Sequence, residues 1–289
     1  MKHKFFKTIF RNDIAIHVYK GKRRPVIFLI PYPHASASVP INKSDLAQIF
    51  IDLDFEIISF DPPGLFESKR IPDMSLEEMV NCFGEVMEEV NRENEKVTLV
   101  AHSMGGFISF PIVTSYPDRI DKIILVGILA GFSSIKRNKG LPYYFGAFNK
   151  KYWNIAYYGI RLMYFKGNLA IQKKLDNIFR YESWVDKSQV TLWTIKKEDY
   201  HKPPNPRGKW VKTARKYDFY DLLNKIDNTT LILVGKEDLQ TPIGCSKEIH
   251  EGLTNSELVI FEKSCHYPFI EEKGKFISKI MQFLEIKEK

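Results

Sequence analysis

Residues 99–106 place a serine at the junction of an apolar strand and a helix, a position suited to a nucleophile. The apolar run predicts a buried strand, and the pattern from Met104 onward predicts a helix. A nucleophile on so sharp a turn needs very small residues two positions before and after it, because larger side chains would collide across the turn. Ala101 and Gly105 meet that need around Ser103. At the start of the helix, the backbone N–H of Met104 is placed to donate to an oxyanion.

The elements on either side of this turn alternate between apolar strands and amphipathic helices. Continuous apolar strands separated by such helices predict an α/β fold, with a mainly parallel sheet covered by helices on both faces. In sheets of this kind, ligands bind beyond the carboxyl ends of the strands. Ahead of the first buried strand, alternating apolar residues and a turn at residues 21–25 predict a hairpin. The predicted strands are residues 26–30, 56–60, 97–100, 122–127, 231–235 and 258–261, and the predicted helices include residues 43–51, 75–92, 244–252 and 271–286.

A long insertion interrupts this alternation with helical stretches, one of which covers residues 152–165. Trp153 and Tyr157 belong to an aromatic series in that stretch that recurs at helical spacing. We therefore predict a helical cap inserted into the core. The chain is divided into a first part of the core (residues 1–132), the basic and aromatic-rich cap (residues 133–216) and a second part of the core (residues 217–289).

The predicted cap is strongly basic, although the whole chain carries a net charge of only +8. It holds 19 Lys and Arg against 5 Asp and Glu, a net charge of +14, whereas the other residues have 24 against 30, or −6. Clustered cations are typical of a solvated face, but among aromatic side chains they also attract anionic substrates or anionic lipid surfaces. No recognised nucleic-acid-binding motif is present. We expect a small-molecule substrate and no nucleic acid, and we keep peripheral contact with anionic lipid as a hypothesis.

The cysteines and the N-terminus indicate the compartment. Three cysteines without a C-x-x-C pair indicate neither a disulfide framework nor a zinc site. The N-terminal residues carry the charge of a signal peptide, but Lys7, Arg11 and Asp13 interrupt the apolar run that should follow. No stretch approaches the roughly 20 apolar residues needed to cross a bilayer. We expect a cytoplasmic protein without a metal or an organic cofactor.

Two further segments complete a pattern that resembles the α/β-hydrolase superfamily, and the resemblance covers almost the whole chain outside the predicted cap. Residues 235–242 follow a predicted strand and are similar to the family segment that supplies an acid, here Asp238. Residues 265–271 follow the next strand and resemble the family's histidine loop, here with His266. The chain order Ser103, Asp238, His266 is the order of the family.

The resemblance implies a serine nucleophile activated by a histidine base. His266 would remove the proton from Ser103 as the serine attacks a carbonyl, and would return a proton to the leaving group. Asp238 would fix the imidazole tautomer and stabilise its charged form. For His102, next to the serine, we expect a structural role, because neighbouring residues on a strand point to opposite faces.

The resemblance also implies which other residues line the site. The family's oxyanion loop aligns with the chain after the first buried strand and places the Tyr32 N–H where it completes an oxyanion hole with Met104. His34 in the same loop is a candidate substrate contact. Aromatic residues of the predicted cap, Trp153 and Tyr157 among them, would form the apolar roof of a pocket over the serine.

Several functions are compatible with this chemistry. The first is hydrolysis of a carboxylic ester or related acyl compound through an acyl-enzyme. The second is amide hydrolysis in the manner of proline iminopeptidases, which needs carboxylates to hold a substrate ammonium group; the cap has few, which favours esters. A carbon–carbon bond hydrolase or a lactonase is also compatible with the same three residues. The last is a ligand-binding protein with little turnover. This function stays open because Ile30 and Pro31 replace the family's His-Gly in the loop that supplies an oxyanion donor.

Overall fold

A single sheet organises the part of the chain that the computed structural model describes, which is residues 6–32, 40–90, 92, 94–141, 143–165, 168–188, 210 and 212–286. The strands are β1 (Lys7–Arg11), β2 (Ile14–Tyr19), β3 (Arg23–Leu29), β4 (Phe55–Phe60), β5 (Val97–His102), β6 (Ile120–Val126), β7 (Thr229–Gly235) and β8 (Ser256–Phe261). Their order in the sheet is β1-β2-β4-β3-β5-β6-β7-β8. The pairs β1/β2 and β2/β4 are antiparallel, and every other neighbouring pair is parallel.

Helices cover both faces of this sheet. They are α1 (Asp45–Asp52), α2 (Leu76–Glu89), α3 (Met104–Ser115), α4 (Phe132–Arg137), α5 (Lys150–Tyr164), α6 (Leu169–Tyr181), α7 (Ile243–Gly252), α8 (Pro268–Glu271) and α9 (Lys273–Phe283). One face packs against α2, α3 and α7, and the other packs against α1, α8 and α9. The mainly parallel sheet with helices on both faces is therefore confirmed.

The central strands are buried on both sides, which explains why they are continuously apolar in sequence. In β5, Leu99 packs in a cluster with Phe83 and Phe107, whereas Val100 packs in a second cluster with Phe50. Successive residues of a strand point to opposite faces, so a strand between two helical layers needs apolar residues at every position. This packing on both faces fixes the end of β5, from which the chain turns into α3.

The N-terminal hairpin differs from the sequence prediction. It is formed by β1 and β2, and its turn consists of Asn12 and Asp13, whose φ angles of 46° and 63° have the positive sign that a type I′ turn requires. The turn predicted at residues 21–25 leads instead into β3, which is separated from β2 by β4, so the prediction of a hairpin there was wrong. Gly21 is required at this turn, because an added Cβ would lie 2.2 Å from the backbone of Phe55.

The C-terminal helix α9 begins two residues later than the sequence predicted, and a short helix, α8, precedes it. Glu272 separates α8 from α9 with φ and ψ of −126° and 49°, which are not helical values. Its carboxylate accepts hydrogen bonds from the backbone N–H of Lys263 at 2.9 Å and from the hydroxyl of Ser264 at 2.7 Å. The residue at the break thus holds the loop that follows β8.

The helices α4, α5 and α6 come between β6 and β7 in the chain, where the sequence predicts the cap. Helix α4 is held to α7 by Glu248, whose carboxylate accepts hydrogen bonds from Ser134 at 2.5 Å and from Arg137 at 2.9 Å. Residues 189–209 lie outside the described residues, so the limits 133–216 stay a prediction. Among the helices that the structure describes, none is long and apolar enough to cross a membrane.

Candidate active site

Ser103 lies on a strained turn between β5 and α3. Its φ and ψ are 53° and −124°, and a positive φ is uncommon for any residue other than glycine. Such backbone conformations cost on the order of 1–3 kcal/mol and occur mainly where function requires them. Two hydrogen bonds hold the turn: Ser103 N–H donates to the carbonyl of Val126 at 2.9 Å, and Gly106 N–H donates to the carbonyl of Ser103 at 2.9 Å. The serine hydroxyl does not cap α3.

Small residues are required around this turn, as the sequence predicted for position 105. A Cβ on Gly106 would lie 2.1 Å from Ile128, and a Cβ on Gly105 would lie 3.0 Å from the carbonyl oxygen of Ile30. The same Cβ on Gly105 would lie 3.6 Å from the carbonyl oxygen of Pro31. The loop after β3 therefore passes directly beside the start of α3.

Asp238 and His266 form a buried pair on the loops after β7 and β8. Asp238 Oδ2 lies 2.7 Å from His266 Nδ1, and both side chains are almost fully buried. The carboxylate also accepts hydrogen bonds from the backbone N–H of Gln240 at 2.8 Å and of Thr241 at 3.0 Å, and from the Thr241 hydroxyl at 2.8 Å. The carboxylate also accepts a hydrogen bond from His266 Nδ1–H, which leaves His266 Nε2 as the basic nitrogen.

The serine and the histidine do not form a hydrogen bond in this conformation. Among the described residues, the His266 side chain bonds to Asp238 and contacts Thr241 Oγ1 at 3.5 Å, with no hydrogen bond to Ser103. Such bonds are often long or absent without substrate and tighten in the complex. Proton transfer from the serine requires this bond to form.

Gly127, directly after β6, lies against the Asp238–His266 pair. It has φ of +51°, and a Cβ at this position would lie 3.1 Å from Asp238 Oδ2 and 3.3 Å from His266 Nδ1. A side chain here would press on both partners of the hydrogen bond. Gly127 was missed from the sequence, although a glycine at the carboxyl end of a central strand was a usable signal.

Comparison with known proteins agrees with this geometry. The family model for the alpha/beta hydrolase fold matches residues 24–273 of the chain. The chain belongs to the α/β-hydrolase family. The resemblance found in the sequence is therefore confirmed.

Relatives of this hydrolase differ in the reactions their names describe. It is 25% identical to a proline iminopeptidase of Saccharolobus solfataricus, over 97% of this chain and 91% of that protein. It is 22% identical to a 2-hydroxy-6-oxononadienedioate/2-hydroxy-6-oxononatrienedioate hydrolase of Pseudomonas putida, over 94% of this chain and 92% of that one. Among solved structures, an alpha/beta fold family hydrolase from Bacillus anthracis has a TM-score of 0.76 and 21% identity, covering 97% of this chain and 98% of that chain. These likenesses establish the fold and the hydrolase class.

His102 contacts the histidine of the Asp238–His266 pair. The two imidazole centroids are 4.7 Å apart, and His102 Nε2 lies 2.9 Å from the carbonyl oxygen of His266. On the other side, His102 Nδ1 is in contact with the hydroxyl of Tyr32. Burial lowers the pKa of His102, and the neighbouring His266 lowers it further, so its ring is neutral. The sequence indicated a structural residue but not this contact, because the two histidines are 164 positions apart.

Tyr32 is placed both by its backbone and by its phenol. Its backbone follows Pro31 in the loop beside Gly105, and its hydroxyl contacts His102. The role of its N–H in an oxyanion hole stays a prediction. Burial raises the pKa of the Tyr32 phenol, and the nearby Tyr267 adds to that rise. The phenol therefore keeps its proton and donates a hydrogen bond to His102 Nδ1. The Nε2–H of His102 is then free to donate a hydrogen bond to the carbonyl of His266.

The chain that follows α6 binds both loops of the Asp238–His266 pair. The carbonyl of Ser183 accepts a hydrogen bond from the backbone N–H of His266 at 3.2 Å, and its hydroxyl accepts one from the Gln240 side chain at 2.5 Å. The Trp184 ring packs on Tyr267 with centroids 4.7 Å apart. The inserted helices thus end on the two loops that carry the acid and the histidine, which the sequence did not indicate.

The remaining predicted site residues have different positions. Met104 begins α3, so its N–H belongs to the first turn, where helix N–H groups have no helical acceptor. Trp153 and Tyr157 lie on α5 with 59% and 51% of their surface exposed, and the described contacts do not join them to the Asp238–His266 pair. His34 lies outside the described residues. The oxyanion role of Met104 and the substrate contacts of His34, Trp153 and Tyr157 stay predictions.

One group among the described residues has the composition of a metal site. His17, Asp61 and Glu67 bring ligand atoms within 4.8 Å of one another, and His17 Nε2 lies 3.1 Å from Asp61 Oδ1. The other oxygen of Asp61 accepts a hydrogen bond from the backbone N–H of Glu67 at 2.9 Å, and Glu67 itself is exposed. A buried histidine–carboxylate pair that closes the loop after β4 accounts for this arrangement.

Proposed function

We propose that this hydrolase cleaves a carboxylic ester or a related acyl compound through an acyl-enzyme formed on Ser103. One observation carries the proposal. Ser103, with φ 53° and ψ −124°, follows a central strand. Asp238 and His266, joined by a buried hydrogen bond of 2.7 Å, each follow another strand of the same sheet. Because parallel strands end at the same edge of the sheet, these three residues belong to one site. A strained serine supplies the nucleophile, and a histidine oriented by a carboxylate supplies the base.

The proposed reaction has two halves. In the first, His266 Nε2 accepts the Ser103 proton as Oγ attacks the carbonyl carbon, and the protonated imidazole then gives that proton to the leaving oxygen as the ester bond breaks. In the second, His266 takes a proton from water, the hydroxide adds to the acyl carbon, and Ser103 leaves with the proton. The N–H groups of Met104 and Tyr32 would donate to the oxyanion in each half.

The charges of the inserted helices support an ester substrate over an amino-terminal peptide. An iminopeptidase must hold a substrate ammonium group with a carboxylate. Glu182 is buried, but its carboxylate is paired with Lys151 and lies 3.9 Å from Lys187. Asp186 is exposed and accepts hydrogen bonds from Ser188. These carboxylates, within the described part of residues 133–216, are therefore already paired or face solvent.

The named relatives make the iminopeptidase the second candidate. The proline iminopeptidase similarity spans 97% of this chain, so both substrates belong in the same assay. Purified protein is tested with p-nitrophenyl esters of increasing acyl length and with proline p-nitroanilide, together with labelling by a fluorophosphonate. Ser103→Ala is the test variant, and Ser188→Ala, at an exposed serine, is the matched control.

The outcomes separate the candidates. Ester turnover and labelling that persist in Ser188→Ala but disappear in Ser103→Ala support the proposal. Preferred turnover of the anilide with the same dependence on Ser103 assigns the iminopeptidase reaction. If the wild-type protein neither labels nor turns over any substrate, the acyl-enzyme mechanism is wrong, and a ligand-binding role takes its place.

A further inference from the structure

Helix α5 presents four large side chains to solvent along one face. Trp153, Tyr157, Ile160 and Tyr164 have 59%, 51%, 50% and 80% of their surface exposed. Their spacing of four, three and four residues matches the 3.6 residues of a helical turn, so they form one line about 16 Å long. We call these four residues the α5 stripe.

The α5 stripe lies on the side of the helix opposite its buried face. Ile155 is 7% exposed and lies roughly 160° around the helix from both Trp153 and Tyr157, so the buried face of α5 is opposite the stripe. Another inserted helix, α6, packs on α5. Two more aromatic residues next to the helix ends are exposed, Phe148 fully and Phe165 by 55%. Exposed apolar patches of this kind mark interaction surfaces.

The α5 sequence contains Lys150, Lys151 and Arg161 and no Asp or Glu. Lys151 is paired with Glu182 on the side of the helix away from the stripe, so Lys150 and Arg161 are the α5 cations that neighbour the stripe. The guanidinium of Arg161 lies over the rings of Tyr157 and Phe165, at 5.5 Å and 5.3 Å from their centroids. The sequence of the whole inserted segment, residues 133–216, has 14 more cationic than anionic residues. A partner of this face must therefore accept aromatic rings and carry negative charge.

We propose that the α5 stripe binds the surface of an anionic phospholipid bilayer. Tryptophan and tyrosine rings prefer the level of the lipid headgroups, where the ring is in an apolar environment and its polar atom stays hydrated. Lysine and arginine beside them are attracted to anionic headgroups. This binding is a property of the helix surface and does not depend on the proposed reaction of Ser103.

The size of the stripe favours a bilayer over a second copy of the chain. With 50–80% of each side chain exposed, and roughly 200 Å² for a large side chain, the four residues expose roughly 500 Å². A stable protein interface buries about 800 Å² on each partner. A convex line of side chains is too narrow for that interface, whereas a fluid lipid surface closes around it.

Flotation with vesicles tests the proposal. Wild-type protein is mixed with vesicles of phosphatidylcholine alone, or of phosphatidylcholine with phosphatidylserine, at low and at high salt. The test variant is Ile160→Ser/Tyr164→Ser. The control is Ile71→Ser, which removes an apolar side chain that is 89% exposed on a different surface. Fluorophosphonate labelling and circular dichroism confirm that each variant is folded.

We expect wild-type protein and Ile71→Ser to float with the anionic vesicles at low salt and to be released at high salt, because screening weakens the attraction. The double variant should bind about tenfold more weakly or worse, with unchanged labelling, because less apolar surface enters the lipid. Equal binding to both vesicle types, no binding to either, or unchanged binding of the folded double variant overturns the proposal. A dimer in size-exclusion chromatography that the double variant dissociates would also overturn it and assign the stripe to self-association.

Fluorescence quenching by brominated lipids supplies a direct readout. Among the tryptophans that the structure describes, Trp153 is 59% exposed on the stripe, whereas Trp184 and Trp210 are each only 1% exposed. The fourth, Trp193, lies outside the described residues. Quenching by anionic brominated vesicles should be much smaller in Trp153→Phe than in the wild type. Quenching that is unchanged in that variant would place the lipid contact elsewhere and contradict the assignment to α5.

Discussion

Replacing Gly127 with alanine should slow the reaction while leaving the protein folded. Gly127 has φ of +51° and follows β6, directly beside the hydrogen bond between Asp238 and His266. An alanine Cβ there would lie 3.1 Å from Asp238 Oδ2 and 3.3 Å from His266 Nδ1. Both distances are shorter than ordinary van der Waals contact, so the pair must move to admit the methyl group.

The size of the effect follows from how far the imidazole must move. Relief of these contacts requires a shift of roughly 0.5 Å, and a displacement of about 1 Å near the reacting atoms costs about 100-fold in rate. We therefore expect a roughly tenfold lower kcat and a similarly slower fluorophosphonate labelling. A non-glycine residue in the left-handed region also costs about 1–2 kcal/mol of folding free energy.

Gly146→Ala is the matched control for this experiment. Gly146 has φ of +66°, so alanine meets the same backbone strain, but its Cβ would have no neighbour within 4 Å. Both variants should lose similar amounts of thermal stability, and Gly127→Ala alone should lose activity. If the two variants differ by less than twofold in kcat and in labelling rate, close packing of Gly127 on the pair is irrelevant to catalysis, and the reasoning is refuted.

Three further variants test the interior. Thr241→Val removes the hydroxyl that donates a hydrogen bond to Asp238 at 2.8 Å. The variant should lower kcat about tenfold with little change in KM, because a hydrogen bond to a charged group contributes about 1.5–3 kcal/mol. An unchanged kcat would contradict this role. Burial in the folded protein lowers the pKa of His102, so at acidic pH the unfolded chain binds a proton that the folded chain does not. The free energy of unfolding should therefore fall as pH drops below about 6.5, by up to about 1.4 kcal/mol per pH unit, and less steeply in His102→Gln; equal slopes would exclude the effect. Burial alone would raise the pKa of Glu248, but hydrogen bonds from Arg137, Ser134 and other donors outweigh it and lower the pKa to about 2. The ionised Glu248 thus stabilises the folded protein by about 2 kcal/mol, after allowance for its partial exposure. This stabilisation is present above pH 4.5 and is lost as the pH falls towards 2. The urea unfolding curves of wild type and Glu248→Gln should therefore differ near neutral pH and converge near pH 2.

The strands and most helices were predictable because burial on both faces leaves a strong local signal. The strand predicted at residues 97–100 became β5, and the helix predicted at residues 75–92 became α2, each with small differences at the ends. The hairpin was misplaced because strand pairing depends on distant partners. The turn at Gly21 is a real turn, but β4, which comes later in the chain, occupies the position beside β2.

The sequence also identified residues that share a site without showing how they are supported. Asp238 and His266 were recognisable from the loops that carry them, and the structure places them 2.7 Å apart. The contacts that orient them were not recognisable. Thr241 lies in the same loop as Asp238, three residues further on. Gly127 and His102 carry no motif that connects them with these two residues, and their contacts exist only once the strands are side by side.

What the sequence determined by itself was the class of fold, the family and the turn that carries Ser103, because these depend on local apolar patterns and on small residues at short spacing. Only the tertiary structure decided which face of α5 is exposed, and which residues hold the histidine. A helix with aromatic residues on several sides has no preferred buried face until another helix packs on it, and here Ile155 turns inward while Tyr164 is left in solvent. Contacts between residues more than 100 positions apart follow from the packing of the whole sheet, which no local pattern encodes.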